Sequence, residues 1–214
     1  MTVSSKNPRL CLAITELQTG GAERCLVNLA CGLSAEGFPV QVLSLAPLPE
    51  APRDRLIQQL REREIPIHCL NLKSARQFMT GRRRLHHFLC ENRIELIQTF
   101  LYHANVLASS LRKNRSPVIH VSGMRVADPS RWRQRVESFA SRRWQHTVCV
   151  SQDVARFAKE RLALPAERVS VIPNGINVAP FQLDHDKNSA LGELPANRKF
   201  LVSVGRLDRQ KGLD

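Results

Sequence analysis

Leu10-Cys11-Leu12-Ala13-Ile14-Thr15, a periodic stretch from Ala22 to Leu33, and then Pro39-Val40-Gln41-Val42-Leu43-Ser44-Leu45 form the passage on which the fold turns. Both flanking runs are short and apolar at successive positions, as strands buried on two faces are. Between them, Ala22, Cys25, Leu26, Leu29, Ala30 and Leu33 recur at helical spacing, and Gly37 stands where a C-cap glycine belongs. Strand, helix and strand at this distance make one βαβ unit.

The same alternation continues along the chain. Ile65–Leu70, Ile94–Thr99, Val118–Ser122, Thr147–Ser151 and Val169–Ile172 read as further strands. Helical patterns fit Arg53–Arg63, Arg82–Asn92, Ala104–Lys113, Arg131–Arg143 and Asp153–Leu162, with Ser130 and Ser151 placed to cap the last two. The expectation is an α/β chain with a Rossmann-like, doubly wound parallel sheet, covered by helices on both sides.

Composition narrows the class. The chain has 214 residues, 43% hydrophobic and 24% charged, with a formal net charge of +13. Such a length and apolar fraction exclude disorder and collagen-like repeats. No run approaches the roughly 18 apolar residues of a spanning helix, and the N-terminus has no apolar signal core. The six cysteines, Cys11, Cys25, Cys31, Cys69, Cys90 and Cys149, form no C-x-x-C pair. They read as buried, reduced thiols rather than a disulfide framework or a zinc site. A soluble, cytoplasmic, basic domain without a metal or cofactor is expected.

The pattern changes after residue 173. Asn174 and Gly175 mark a hinge loop, and the stretch up to Asn197 is polar. Lys199-Phe200-Leu201-Val202-Ser203-Val204 then reads as one more strand, and the chain ends ten residues later. The expected organisation is an N-terminal domain over 1–178, a linker over 179–197, and the truncated start of a second domain over 198–214. Seventeen residues are too few for a core of their own.

Ligands of open parallel sheets bind beyond the C-terminal ends of the strands. The first such loop contains Gly20 and Gly21. Two glycines there serve either a tight turn or the close approach of an anion to the first helical amides. No G-x-G-x-x-G is present, and the second strand ends in Ser44-Leu45-Ala46 without an acid for a ribose, which argues against a dinucleotide. At the other end, Arg206 follows a strand and Lys211 lies five residues on. The pair is either a diphosphate grip or a solvated loop.

Gly20-Gly21-Ala22-Glu23-Arg24, Ser151, Ile172-Pro173-Asn174-Gly175-Ile176-Asn177 and Val204-Gly205-Arg206-Leu207-Asp208-Arg209-Gln210-Lys211-Gly212 together resemble glycosyltransferase family 4. The order and spacing fit from about residue 10 to the end. The resemblance implies one half of a GT-B fold, whose N-terminal domain binds the acceptor and whose C-terminal domain binds a nucleotide-sugar. It implies retaining, metal-independent transfer to a saccharide or lipid-linked glycan. Gly20 and Gly21 would then lie near the donor diphosphate. Arg206 and Lys211 would act catalytically, neutralising the departing nucleoside diphosphate.

The departures from that pattern are equally definite. The family's histidine at the end of strand four is replaced by Gln98-Thr99-Phe100. His103, three residues on, is either the nearest acceptor-side substitute or a surface histidine at a helix start. The acid after Asn-Gly-Ile is Asn177, and the family's E-x7-E carboxylates would fall beyond residue 214. The chain alone is therefore expected to be inactive.

Arg125, just past the fifth strand, is the other acceptor-side candidate. From Arg112 to Arg143 nine Lys or Arg face only Asp128 and Glu137. Trp132, Val136, Phe139 and Ala140 are expected to turn an apolar stripe to the sheet. The arginines would then form either a solvated face or a patch for an anionic membrane at the inner leaflet. A nucleic-acid partner is disfavoured, since the chain has one Tyr and no matching motif. The competing functional class is a non-catalytic sugar- or anion-binding Rossmann module.

Overall fold

The computed structural model describes residues 7–111, 118–176 and 178. The chain divides into two units, Met1–Ile176 and Asn177–Asp214, and the description concerns the first. The strand expected at 199–204, Arg206, Lys211 and the linker lie outside the described residues.

All seven strands expected before residue 173 are present: β1 (Leu10–Ile14), β2 (Val40–Ser44), β3 (Ile67–Cys69), β4 (Leu96–Phe100), β5 (Ile119–Met124), β6 (His146–Cys149) and β7 (Val169–Val171). They form one sheet in the order β3-β2-β1-β4-β5-β6-β7, every pair parallel. The helices are α1 (Gly21–Ala35), α2 (Arg55–Glu62), α3 (Phe78–Glu91), α4 (Tyr102–Ser109), α5 (Arg131–Ser141) and α6 (Gln152–Arg161).

Strand β1 shows why the sheet is covered twice. Leu10, Leu12 and Ile14 pack with Leu26, Val27 and Ala30 of α1 and Leu56 and Leu60 of α2. Cys11 and Ala13, facing the other way, pack with Leu85 and Leu89 of α3 and Leu107 of α4. Successive side chains point to opposite faces, so only an unbroken apolar run satisfies both layers.

Local signals set the helix ends. Gly37 adopts φ +81, and the amides of Gly37 and Phe38 donate to Ser34 O and Leu33 O, the paired bonds of a Schellman cap. Ser151 caps α6 by accepting from the Val154 amide. Ser130 is the N-cap residue of α5, yet its side chain makes no cap bond. Helix α3 begins one turn earlier than its expected Arg82. Gly81 fits there beneath Leu72, where a Cβ would lie 2.6 Å from Leu72 Cδ1.

Two expectations are corrected. Of the cysteines, Cys11 and Cys149 are buried and burial pushes both thiols up, Cys149 to about 11, but Cys90 is exposed. On α5, Trp132 and Phe139 do not face the sheet; they are 64% and 66% exposed. The buried positions are Glu137, Ala140 and Ser141. The helix is rotated because Glu137 hydrogen-bonds to Asn105 of α4, which brings that side of α5 inward.

Candidate functional site

The strand order reverses between β1 and β4, which opens a crevice at their C-terminal ends. Leu17, fully buried, anchors the loop that leaves β1 there. Gly20 is the N-cap of α1 in extended conformation, and neither Gly20 nor Gly21 has a positive φ. A turn requiring glycine is therefore not their reason. A Cβ on Gly20 would fall 2.2 Å from Glu23 Oε2, because that nearly buried carboxylate folds back over the helix start. Around Gly21 nothing lies within 4 Å of an added Cβ. One glycine makes room for Glu23, and the other fronts open space.

On the β4 side the chain enters α4 through Leu101, whose φ of 71 and ψ of 160 lie in a region that side chains other than glycine's rarely adopt. This turn sets Tyr102 and His103 on the rim of a cavity of about 670 Å³. Thr15 after β1, Leu45 after β2, Lys73 after β3 and Trp132 on α5 share its wall. The Tyr102 and His103 rings meet edge-on at 5.2 Å, and the Arg133 guanidinium lies 5.1 Å from the Tyr102 ring centroid. Burial, reinforced by the Arg133 charge, lowers the His103 pKa. Both influences favour the neutral imidazole, which can donate and accept hydrogen bonds.

Asp128 organises the start of α5. It accepts from the Ser130 amide and from Arg133, each at 2.9 Å, and these bonds hold its carboxyl below the usual range. Asp128 thus does the capping work that Ser130's side chain does not. Beneath the rim runs a buried polar chain. Thr99 Oγ1 donates to Asn105 Oδ1 at 2.6 Å and lies 2.8 Å from His120 Nε2. Burial pushes Glu137 up to about 7 despite the Asn105 bond, and brings His120 down to about 3. Trp144, fully buried, donates to Ser109 Oγ at 2.7 Å. This network carries no sequence motif, and nothing in the spacing of its members predicts it.

Arg125 and Asn174, expected separately as acceptor-side and hinge residues, are brought together. One Arg125 nitrogen donates to Asn174 Oδ1, and another to Cys25 Sγ of α1 at 3.0 Å. Its guanidinium lies 4.8 Å from the Phe100 ring centroid. Gly175 fronts open space. His103 lines the cavity, whereas Gly20, Gly21 and Arg125 do not. Of the arginines on and just after α5, Arg133 is engaged with Asp128, Arg143 with the carbonyls of Ser109 and Leu111, and Arg142 lies 5.7 Å from the Phe139 ring centroid. Among the described residues no helix is long and apolar enough to cross a membrane.

Comparison with known proteins adds three findings. A family model described as Glycosyltransferase Family 4 matches residues 19–179. No curated protein matches the chain. Solved structures do. Anabaena HepE in complex with UDP is 19% identical with a TM-score of 0.64, over 79% of this chain and 45% of that one. A glycosyltransferase from Rickettsia africae is 16% identical with a TM-score of 0.64, over 85% and 48%. The lipopolysaccharide outer core galactosyltransferase WaaB is 12% identical with a TM-score of 0.64, over 79% and 46%. The chain thus spans about half the length of these structures, and the likeness at such identities is one of fold.

Proposed function

The chain belongs to glycosyltransferase family 4, matching its model over residues 19–179, and from this we propose that it is the acceptor-side domain of a retaining, metal-independent glycosyltransferase. The observation that carries this reading is the cavity beyond the ends of β1 to β4, walled on one side by α5, rimmed by His103 and placed where the strand order reverses. Ligands of doubly wound sheets bind at such reversals. The acceptor, a saccharide or lipid-linked glycan, occupies that side.

The donor is a nucleotide-diphosphate-sugar; the UDP bound to the HepE structure supports this choice. Its diphosphate lies against the open face of Gly21, with Gly20 beside it. Arg206 and Lys211, in the part belonging to the second domain over 198–214, neutralise the leaving diphosphate. Asn174 and Gly175 form the hinge between the 1–178 domain and the second domain, to which the 179–197 linker leads. Because most of the donor site belongs to that second domain, the 214-residue chain alone is inactive and holds nucleotide-sugars only weakly. The protein works in the cytoplasm, and its exposed Arg131, Arg135 and Arg142 draw it to an anionic inner membrane face.

The test compares this chain with one continued through a complete second domain. Nucleoside-diphosphate release from UDP-sugars is expected only from the longer protein, with a product of retained anomeric configuration by NMR and no loss of rate in EDTA. Arg206→Ala and Lys211→Ala should each slow it about tenfold to a thousandfold. Inversion, a metal requirement, or binding without any transfer would overturn the corresponding part.

A further inference from the structure

The lining of the cavity bears on the chemistry of the acceptor. Six side chains from three separate segments, Leu72, Phe78, Val106, Leu107, Trp132 and Val136, give the cavity an apolar lining. No Asp, Glu, Asn or Gln belongs to the described wall. A glycan presents many hydroxyls, each of which loses water on binding and needs a partner to offset that loss. This wall sets six polar side chains against nine apolar ones.

Its polar side chains are Thr15, Lys73, Ser74, Tyr102, His103 and Arg133. Its formal charges are Lys73 and Arg133, and since Arg133 is paired with Asp128 at 2.9 Å, Lys73 carries the positive charge of the wall. Thr15 Oγ1, also in the wall, is shielded from solvent and has no hydrogen-bond partner. At the mouth, Phe78 and Trp132 stay 38% and 64% exposed, so apolar surface continues outward from the cavity. The volume, about 670 Å³, is that of a small-molecule site.

Resting on the acceptor reading, we propose that this cavity takes the hydrocarbon chain of an amphiphilic acceptor, with the acceptor's phosphate against Lys73 and the Thr15 hydroxyl. The charge sign selects the phosphate and the apolar wall selects the chain. The sugar-accepting end then points to the rim at His103.

The 214-residue chain is titrated by calorimetry with n-alkyl phosphates of four, eight and twelve carbons below their micelle concentrations. Inorganic phosphate, the matching alkanols and glucose 1-phosphate serve as comparisons. Affinity should rise about fourfold per added methylene until the cavity is filled. Inorganic phosphate should bind at least a hundredfold more weakly than octyl phosphate. Trp132→Ala, at an exposed position outside the core, should weaken dodecyl phosphate about tenfold with unchanged circular dichroism and melting temperature. Lys73→Glu should weaken the alkyl phosphate and leave the alkanol as it was.

A flat dependence on chain length overturns the hydrocarbon, and equal binding of alkanol and alkyl phosphate overturns the phosphate. Glucose 1-phosphate binding that Trp132→Ala abolishes, with no alkyl phosphate binding, leaves the acceptor reading intact and defeats this inference. Binding of neither defeats both.

Discussion

Arg125, one residue past β5, donates to the side-chain carbonyl of Asn174, three residues past β7, and so bridges the end of β6 between them. The same guanidinium holds Cys25 of α1. The loop that leaves the sheet is therefore fastened to the helix that begins the crevice.

That fastening is measurable. A double-mutant cycle with Arg125→Lys and Asn174→Ala should return a coupling of about 1 kcal/mol, that of a partly exposed charge-assisted hydrogen bond. Urea denaturation of the four proteins gives the value. Strict additivity would show that the bond contributes nothing.

The buried network sets how stability depends on pH. Glu137 is raised from 4.5 to about 7, so the native state keeps its proton after the unfolded chain has lost it. Its contribution is full below pH 4.5 and is lost as pH rises through 7, by about 3 kcal/mol at that shift. His120 is lowered from 6.5 to about 3, so its contribution is full above pH 6.5 and is lost as pH falls towards 3. The two slopes oppose each other between pH 4.5 and 6.5, giving a plateau that falls away towards pH 3 and steps down slightly between pH 6.5 and 7 before levelling. Denaturation midpoints from pH 3 to 9 should trace it. Glu137→Gln should leave the His120 slope unopposed, so that stability rises from pH 3 to 6.5 and stays level above it, and a variant curve parallel to the native one would refute the assignment.

Leu101 should reverse a common order of preference. Its φ of 71 and ψ of 160 cost about 1–3 kcal/mol in any residue but glycine. Leu101→Ala keeps that strain and loses the side chain's packing on the core formed with α1 and α2. Leu101→Gly loses the same packing and sheds the strain. The glycine variant should be the more stable of the two by chemical denaturation, where helix and strand interiors favour alanine.

Two glycines should respond in opposite ways to alanine. At Gly123 of β5 the new Cβ would lie 2.7 Å from the backbone oxygen of Thr99 on β4, and neither strand can yield. A loss of about 1–3 kcal/mol is expected. Gly21→Ala meets open space at the first turn of α1 and should hold or gain up to about 1 kcal/mol. In the two-domain protein the same methyl should raise the KM for the nucleotide-sugar. An unchanged KM would place the diphosphate elsewhere.

The sheet was readable because burial on two faces forces strands such as Leu10–Ile14 into unbroken apolar runs, a signal each strand carries by itself. The network was not, because Thr99, Asn105, His120 and Glu137 belong to four different elements and become partners only after packing. The same packing defeated the reading of α5. Spacing favours Trp132, Val136 and Phe139 as the inward stripe, but the polar anchor at Glu137 turns the helix. No propensity announces a leucine at positive φ, so the turn that sets Tyr102 and His103 was invisible as well. His103 and Arg125 could be picked out by their distance from strand ends, though not the bond from Arg125 to Asn174.

The strand order also bears on how the ribosome delivers this domain. β1, the first of this sheet's strands to be made, is the one that both halves of the sheet grow from. β2 joins it on one side and β3 extends that side; β4 joins the other, and β5, β6 and β7 are added in turn. Each strand, as it leaves the exit tunnel, finds its template already made and an edge free to receive it. No strand has to be threaded between two that are already paired. Synthesis and assembly can therefore run in the same direction, and an interrupted nascent chain exposes a single growing edge on each side rather than a gap at the centre.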